Sequence, residues 1–429
     1  MIDATVRAFR LPDLRRKILF TFAMLAIYRL ATHVPVPGVN AEALRNLFAS
    51  NQLLGMLDLF SGGSLTTFSI AALGVYPYIT ATIVMQIISP LIPSLQELQR
   101  EGEAGRTRVA QYTRILTVPL ALFQAYAQST LLSREGIITN FGLFNRATFL
   151  PTVSLLITLT AGTMFLVWLG ELITEKGIGN GVSLIIFAGI VARLPTAVGQ
   201  SLAVGTNWFA LIFLAALGLV IVWVIVIMNE GQRRIPVQYA KRIRGNRMYG
   251  GHTTYIPLRV NSAGMIPLIF AMSIMLIPGT AATYLQGTTI AWVREVADFV
   301  VRIFRTTSPI YWILYFLLVV LFTYFYTYVI FQQQNLAETL QKQGGFIPGL
   351  RAGRPTAEYL NRVLYRITLL GAIFLGLVAI APYVAGLVTN IQTLTLSSTG
   401  ILIVVGVVLD TLKQLEAQLM MRHYEGFIK

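Results

Sequence analysis

The sequence predicts an all-α polytopic membrane protein with ten transmembrane helices, and three observations carry that prediction. The chain is 55% hydrophobic and 12% charged over 429 residues, too little polar surface for a water-soluble globule of that size. Ten apolar stretches recur, each near the roughly 20 residues that a helix needs to cross hydrocarbon. The basic residues collect in alternate connections, the asymmetry that orients helical membrane proteins.

The stretches fall at about 18–35, 69–91, 109–131, 149–171, 179–198, 207–229, 263–284, 309–331, 366–386 and 398–416. The first lacks a small-residue cleavage site and runs into Val34-Pro-Val-Pro-Gly38. It therefore reads as a retained helix with a proline-stiffened exit. Ahead of the second stretch, Leu54 to Ser64 is glycine-broken and semi-polar, too short and interrupted to span. Five basic residues precede the first stretch and seven lie between the sixth and seventh. Translocating Lys and Arg is unfavourable, so both termini are expected inside, with the net charge of +15 gathered on that face.

The absence of cysteine excludes disulfides, thiolate catalysis and cysteine-ligated metals. His33, His252 and His423 are far apart and form no ligand pair at helical spacing, so no metal site and no cofactor are expected. In the short loops the cations read as topogenic anchors that touch anionic lipid. Two longer loops suggest more. Residues 231–260 place strand-like, cation-rich runs either side of a Gly245-Asn246 turn signal, the pattern of an exposed hairpin. Residues 344–356 are rich in Gly, Pro and Arg and nearly free of acids. Such platforms would steer an acidic or nucleic-acid-rich partner electrostatically.

Pro35-Val-Pro-Gly38, Phe60-Ser-Gly-Gly63, Ala72-Leu-Gly-Val-Tyr-Pro-Tyr-Ile79, Glu101-Gly-Glu-Ala-Gly-Arg106, Gly162-Thr-Met-Phe165, Trp168-Leu-Gly-Glu171, Thr174-Glu-Lys-Gly-Ile-Gly-Asn-Gly181, Phe187-Ala-Gly-Ile-Val191, Gly231-Gln-Arg-Arg234 and Pro348-Gly-Leu-Arg351 follow one another along the chain. In that order they resemble the SecY family of protein-conducting channels over almost the whole sequence. The resemblance implies two pseudo-symmetric, inverted five-helix halves around a central pore. The halves would be residues 18–205 and 206–416, after a cytosolic segment 1–17 and before a cytosolic tail 417–429. Cytosolic loops would lie at about 230–262 and 332–365.

The resemblance also implies site residues. The pore ring falls on Val75, Ile79, Val182, Ile186, Ile269 and Ile403. Val75/Ile79 and Val182/Ile186 are i, i+4 pairs that share a helix face; without the resemblance, aliphatic residues at this spacing read as ordinary packing. A narrow apolar ring gates by dewetting and holds no specific hydrogen bonds against a passing chain. Two of its positions carry Val where relatives often have Ile. The plug would span about 54–67 and include Leu57, Asp58, Phe60, Ser61, Gly62, Gly63 and Ser64. On sequence alone, an outer loop helix fits that segment as well. Lateral gate positions match Thr80, Gln86 and Asn261, and contacts for SecA or the ribosome match Arg233, Arg234, Lys241, Arg247 and Arg351. Asn246 departs from the family's basic preference there. The implied partners are SecE, SecG, the SecA ATPase, the ribosome, signal peptides, translocating polypeptides and membrane lipids. The implied place is the bacterial cytoplasmic membrane.

Two other classes compete. A secondary transporter would keep ionisable residues at the midplane. Here Arg29 and Arg193 fall toward outer ends, and Glu171, Asp410 and Lys413 toward inner ends. An intramembrane hydrolase would need a Ser/His pair, an aspartate dyad or His-Glu-x-x-His, and the spans hold none. No Gly-x-x-x-x-Gly-Lys-[Ser/Thr] loop is present either, so an enzyme is not expected and the driving energy would come from a partner.

Overall fold

The computed structural model describes residues 11–40, 42–44, 61–138, 141–142, 145–203, 208–239, 242–244, 247–249, 253–264, 266–286, 290–305, 307–334, 336–351, 353–389 and 395–425. Along the chain the elements are α1 (Pro12–Ala31), α2 (Tyr76–Ile88), α3 (Pro93–Arg100), α4 (Glu103–Arg134), α5 (Arg146–Lys176), α6 (Gly181–Ala203) and α7 (Trp208–Glu230). Four strands follow: β1 (Gln232–Tyr239), β2 (Arg242–Arg244), β3 (Arg247–Tyr249) and β4 (Thr253–Arg259). Then come α8 (Ile266–Leu285), α9 (Ala291–Phe304), α10 (Pro309–Gln334), α11 (Leu336–Lys342), β5 (Gly345–Phe346), α12 (Arg354–Thr389) and α13 (Thr395–Glu425).

Every predicted stretch is represented by a helix: α1, α2, α4, α5, α6, α7, α8, α10, α12 and α13 in turn. Among the described residues, five helical segments are long and apolar enough to cross a membrane: Glu103–Ser133, Arg146–Lys176, Ile266–Thr283, Pro309–Lys342 and Arg354–Ala381. Tyr76–Ile88, Gly181–Arg193 and Ala216–Glu230 are apolar and shorter. Apolar side chains such as Phe123, Leu150, Leu219 and Trp223 stand exposed on these helices, the surface expected where lipid is the solvent.

The chain divides into two compact units. The first comprises Met1–Gly218, Ser273–Tyr311 and Pro382–Lys429. Within it, buried Leu14 and Ile18 of α1 cluster with Ile178 and with Leu415 of α13. In the connection from α1 to α2, residues 61–75 are largely buried. Pro35 bridges Ser69, the Val36 amide donates to the Phe68 carbonyl at 3.0 Å and the Ile70 amide to the Val34 carbonyl at 3.0 Å. The Pro-Val-Pro exit thus serves as a rail for the chain that returns toward α2. Small residues set the close approaches. A Cβ on Gly162 of α5 would lie 1.8 Å from the Ile70 carbonyl oxygen, and one on Gly181 would lie 1.9 Å from that of Gly170. At these crossings only glycine fits.

Boundaries differ from expectation at several stretches, α12 beginning at Arg354 rather than near 366, and one difference is informative. The second stretch was expected to be helical from residue 69, yet the helix begins at Tyr76, with turns before it. Phe68 has φ +43° and Gly74 φ +58°, conformations that an α-helix cannot contain. The apolar run Ser69 to Val75 is nevertheless buried except for Ile70, so its composition reports burial in protein rather than helix.

The second unit comprises Leu219–Met272 and Trp312–Ala381. Its sheet has the order β4-β1-β5, all antiparallel. β1 and β4 pair from Gln232↔Arg259 to Gln238↔Thr253. Beyond them β2 and β3 pair with Arg244 opposite Arg247. Gly245 and Asn246, the expected turn, lie outside the described residues. Ile235, Val237 and Leu258 of the sheet bury against Leu340, Ile347 and Leu360, so α11, the turn after β5 and α12 cover one sheet face.

Candidate functional site: an apolar helix face, its stopper and a cationic platform

Five of the six aliphatic positions lie in the first unit. Val75 is the residue just before α2 and is fully buried. Its carbonyl accepts the Ile79 amide at 3.0 Å, which aligns the two side chains on one face. Ile79, Ile186 of α6 and Ile403 of α13 are also buried. α13 packs along α6, whereas α2 packs on α4 and α5. Val182 is half-buried, and its position commits one methyl to α5: a Cβ on Gly170 would sit 3.0 Å from Val182 Cγ2. Ile269 belongs to the second unit, half-buried on α8 between Leu268 and Phe270. The Phe270 ring makes edge contacts with Phe322 and Tyr326 at centroid distances of 6.2 and 6.0 Å.

Of the expected stopper, Leu57, Asp58 and Phe60 lie outside the described residues, and Ser61 to Ser64 are described. These four are held tightly. Tyr28 Oη donates to the Ser61 carbonyl at 3.5 Å and Arg29 Nη1 to the Gly62 carbonyl at 3.1 Å. The Ser64 hydroxyl lies 2.5 Å from the Ser61 carbonyl and 2.6 Å from that of Ala71, and the Leu65 amide donates to Ser61 Oγ at 3.2 Å. Gly62 and Gly63 have φ of +67° and +88°, an elbow that L-residues adopt at a cost. On its far side Gly62 meets Gly189 of α6: a Cβ on Gly189 would lie 2.6 Å from Gly62 Cα. The Arg193 side chain borders Gly63.

The sequence places Arg29 and Arg193 at outer helix ends without a task, offers Gly189 only within the Phe187-Ala-Gly-Ile-Val191 motif and does not single out Tyr28. The missing signal has a physical reason. Arg29 is satisfied by a backbone carbonyl, an acceptor that every residue carries, so no acidic partner marks it in the sequence.

The expected gate residues divide between the units. Thr80 is buried and donates to the Tyr76 carbonyl of its own helix at 3.0 Å. Gln86 is half-buried, and its Oε1 is enclosed without a hydrogen-bond partner. Asn261, in the second unit, donates from Nδ2 to Asn229 Oδ1 at 2.9 Å, while its own Oδ1 is likewise enclosed and unmatched. A further polar link was not foreseen: Tyr76 Oη donates to the Ser273 carbonyl at 3.1 Å, joining α2 to the part of α8 that belongs to the first unit.

In the second unit Arg233 and Arg234 are exposed on β1, opposite Leu258 and Pro257. The alternation of the strand turns Ile235 and Val237 inward. Arg351 is exposed in the turn between β5 and α12. Lys241 lies outside the described residues, and Arg247 is described only as part of β3. Among the charges on the spans, Glu171 of α5 is paired with Arg114 of α4, Oε1 to Nε at 2.5 Å. No group of three or more His, Cys, Asp or Glu able to hold a metal occurs among the described residues.

Comparison with known proteins bears on the family and the fold. The family model described as SecY matches residues 69–412. A protein translocase subunit SecY of Streptomyces galbus is 44% identical over 445 residues, covering 100% of each chain. The fold is that of a solved SecY whose plug domain is described as stabilising the closed state of the translocation channel and maintaining a membrane seal. That structure has a TM-score of 0.62 and 19% identity, over 94% of this chain and 92% of that one. Sec61 in the canine ribosome-channel complex from the endoplasmic reticulum gives 0.57 at 17% identity, with the same coverage.

Proposed function

The chain belongs to the SecY family, and on that premise we propose that it is the channel subunit of a bacterial Sec translocase. It conducts unfolded secretory polypeptides across the cytoplasmic membrane and releases transmembrane segments sideways into lipid. The observation that carries this reading is the irregular segment Ser61 to Val75, packed inside the first unit directly ahead of the helix that bears Ile79. Backbone of that kind is tolerated at membrane depth only inside protein or beside a water-filled cavity.

Val75, Ile79, Val182, Ile186, Ile269 and Ile403 act as the constriction. Branched aliphatic side chains exclude water and ions when closed and yield to any side chain when a polypeptide passes. Residues 54–67 act as the plug, whose C-terminal elbow is clasped by Tyr28 and Arg29. Spans two and three part from seven and eight to let a segment out. There partitioning selects, since a central Leu favours lipid by roughly 0.3–0.6 kcal/mol and a charge opposes it by about 2.5–3.5 kcal/mol. Thr80, Gln86 and Asn261 line that exit. Two pseudo-symmetric halves, 18–205 and 206–416, hinge around the pore.

Arg233, Arg234, Lys241, Arg247 and Arg351 form the cytosolic docking surface for SecA or the ribosome, which supply the driving energy to a channel that is not itself an enzyme. SecE and SecG complete the assembly, and both termini face the cytoplasm. A solute transporter is the weaker reading, because Glu171 is neutralised by Arg114 and offers no free coupling carboxylate.

The test is crosslinking of a stalled secretory chain to single cysteines placed at Val75, Ile186, Ile269 and Ile403. All four are expected to capture the chain. Failure of all four would refute the pore assignment.

A further inference from the structure

Helix α9 joins α8 to α10 and divides into three faces. Arg294, Glu295, Asp298 and Arg302 occupy one side. Ala297 and Val301 occupy a second and are buried against Ala282 of α8. Trp292, Val296 and Phe299, spaced i, i+4 and i+7, occupy the third, and they are 69%, 55% and 63% exposed. Water does not explain large apolar groups so placed on a helix that already has a packed face and a polar face.

Depth along the membrane is fixed independently. Ala282 lies in the last turn of α8, and Gln286, just past that helix, donates from Nε2 to Asp298 Oδ1 of α9 at 2.7 Å. Both contacts hold α9 at the level where the α8 span leaves the hydrocarbon. At 14 residues α9 is too short to cross. Leu285 and Ile290 before it, and Ile310 at the start of α10, are also exposed. The apolar face is thus continuous with surface that lipid covers.

We propose that α9 is an interfacial anchor, lying in the membrane plane with Trp292, Val296 and Phe299 sunk among the lipid headgroups and upper acyl chains. The occupant is the bilayer itself. Trp and Phe suit that boundary, and the charges point to burial rather than electrostatics as the driving term: two Arg offset Glu295 and Asp298. The anchor ties the outer end of α8 to the membrane surface. The proposal requires that α8 span a bilayer and does not depend on what the channel conducts.

The native chain has no cysteine, so single cysteines at Val296, Phe299, Glu295 and Arg302 carry nitroxide labels without background. The full chain, purified with its partner subunits, is reconstituted into phosphatidylcholine vesicles with and without phosphatidylglycerol. Collision with oxygen and with a water-soluble nickel chelate is then measured. Labels at 296 and 299 are expected to show a several-fold higher oxygen-to-nickel ratio than labels at 295 and 302, unchanged by the anionic lipid. Equal nickel access at all four positions overturns the proposal, because the face is then in water. Exclusion of both reagents from 296 and 299 overturns it too, because protein then covers the face. A ratio that appears only with anionic lipid overturns the apolar basis. Translocation by each labelled channel verifies that it is folded, and a channel that translocates while failing the collision test separates this proposal from the transport reading.

Discussion

Replacing Gly189 with Ala tests the plug through one methyl group. A Cβ there would lie 2.6 Å from Gly62 Cα and 2.9 Å from Tyr28 Oη, distances that force displacement. Tyr28 is 1% exposed and has no space to retreat. Overpacking of this kind costs about 1–3 kcal/mol, and the closed state bears it, since the backbone clash vanishes once Gly62 leaves and frees the space into which the Tyr28 hydroxyl can shift. The gain in helix propensity, about 1 kcal/mol, is common to both states and cancels. The closed-to-displaced ratio should therefore fall about 5- to 150-fold. The assay is ion leak through substrate-free channels in proteoliposomes, beside the wild type, a deletion of residues 54–67 and a Gly218→Ala control, whose new methyl meets nothing within 4 Å. Gly189→Ala should leak and the control should not. If the deletion leaks and Gly189→Ala stays as tight as the control, the contact at Gly62 does not hold the plug. If the deletion is tight as well, the plug assignment itself fails.

Replacing the exposed Arg351 with Glu should impair motor-driven export while leaving channel stability within about 0.5 kcal/mol and membrane insertion intact; unchanged export in vesicles would count against a docking role. Tyr76→Phe removes the hydroxyl that donates to the Ser273 carbonyl, a bond worth about 0.5–1.5 kcal/mol. Export of precursors with weakened signal sequences should rise a few-fold in that variant, and an unaltered yield would show that this link does not restrain opening.

What the sequence made legible, and what it concealed, follows from the kind of interaction involved. The spans were readable because lipid imposes a composition on about 20 consecutive residues, and the strand pairing in the loop because strand-like runs flank a turn dipeptide, as β2 and β3 pair antiparallel. The two-residue strand β5 could not be read, since its pairing to Gln238 and Tyr239 comes from a segment about a hundred positions away. Ser69 to Val75 misled for a related reason: apolar composition records removal from water and is silent on whether lipid or protein does the removing. The motif glycines carry a different kind of information. Gly162 against the Ile70 carbonyl and Gly189 against Gly62 mark crossings where any side chain collides, so their identity is dictated by geometry and survives as a motif. The aliphatic positions Val75, Ile186 and Ile403 have no such constraint, because several residues would fill the proposed greasy constriction equally well. A pore of the proposed type is therefore legible in a sequence through the glycines at its helix crossings, and the residues proposed to touch the substrate have to be located from them.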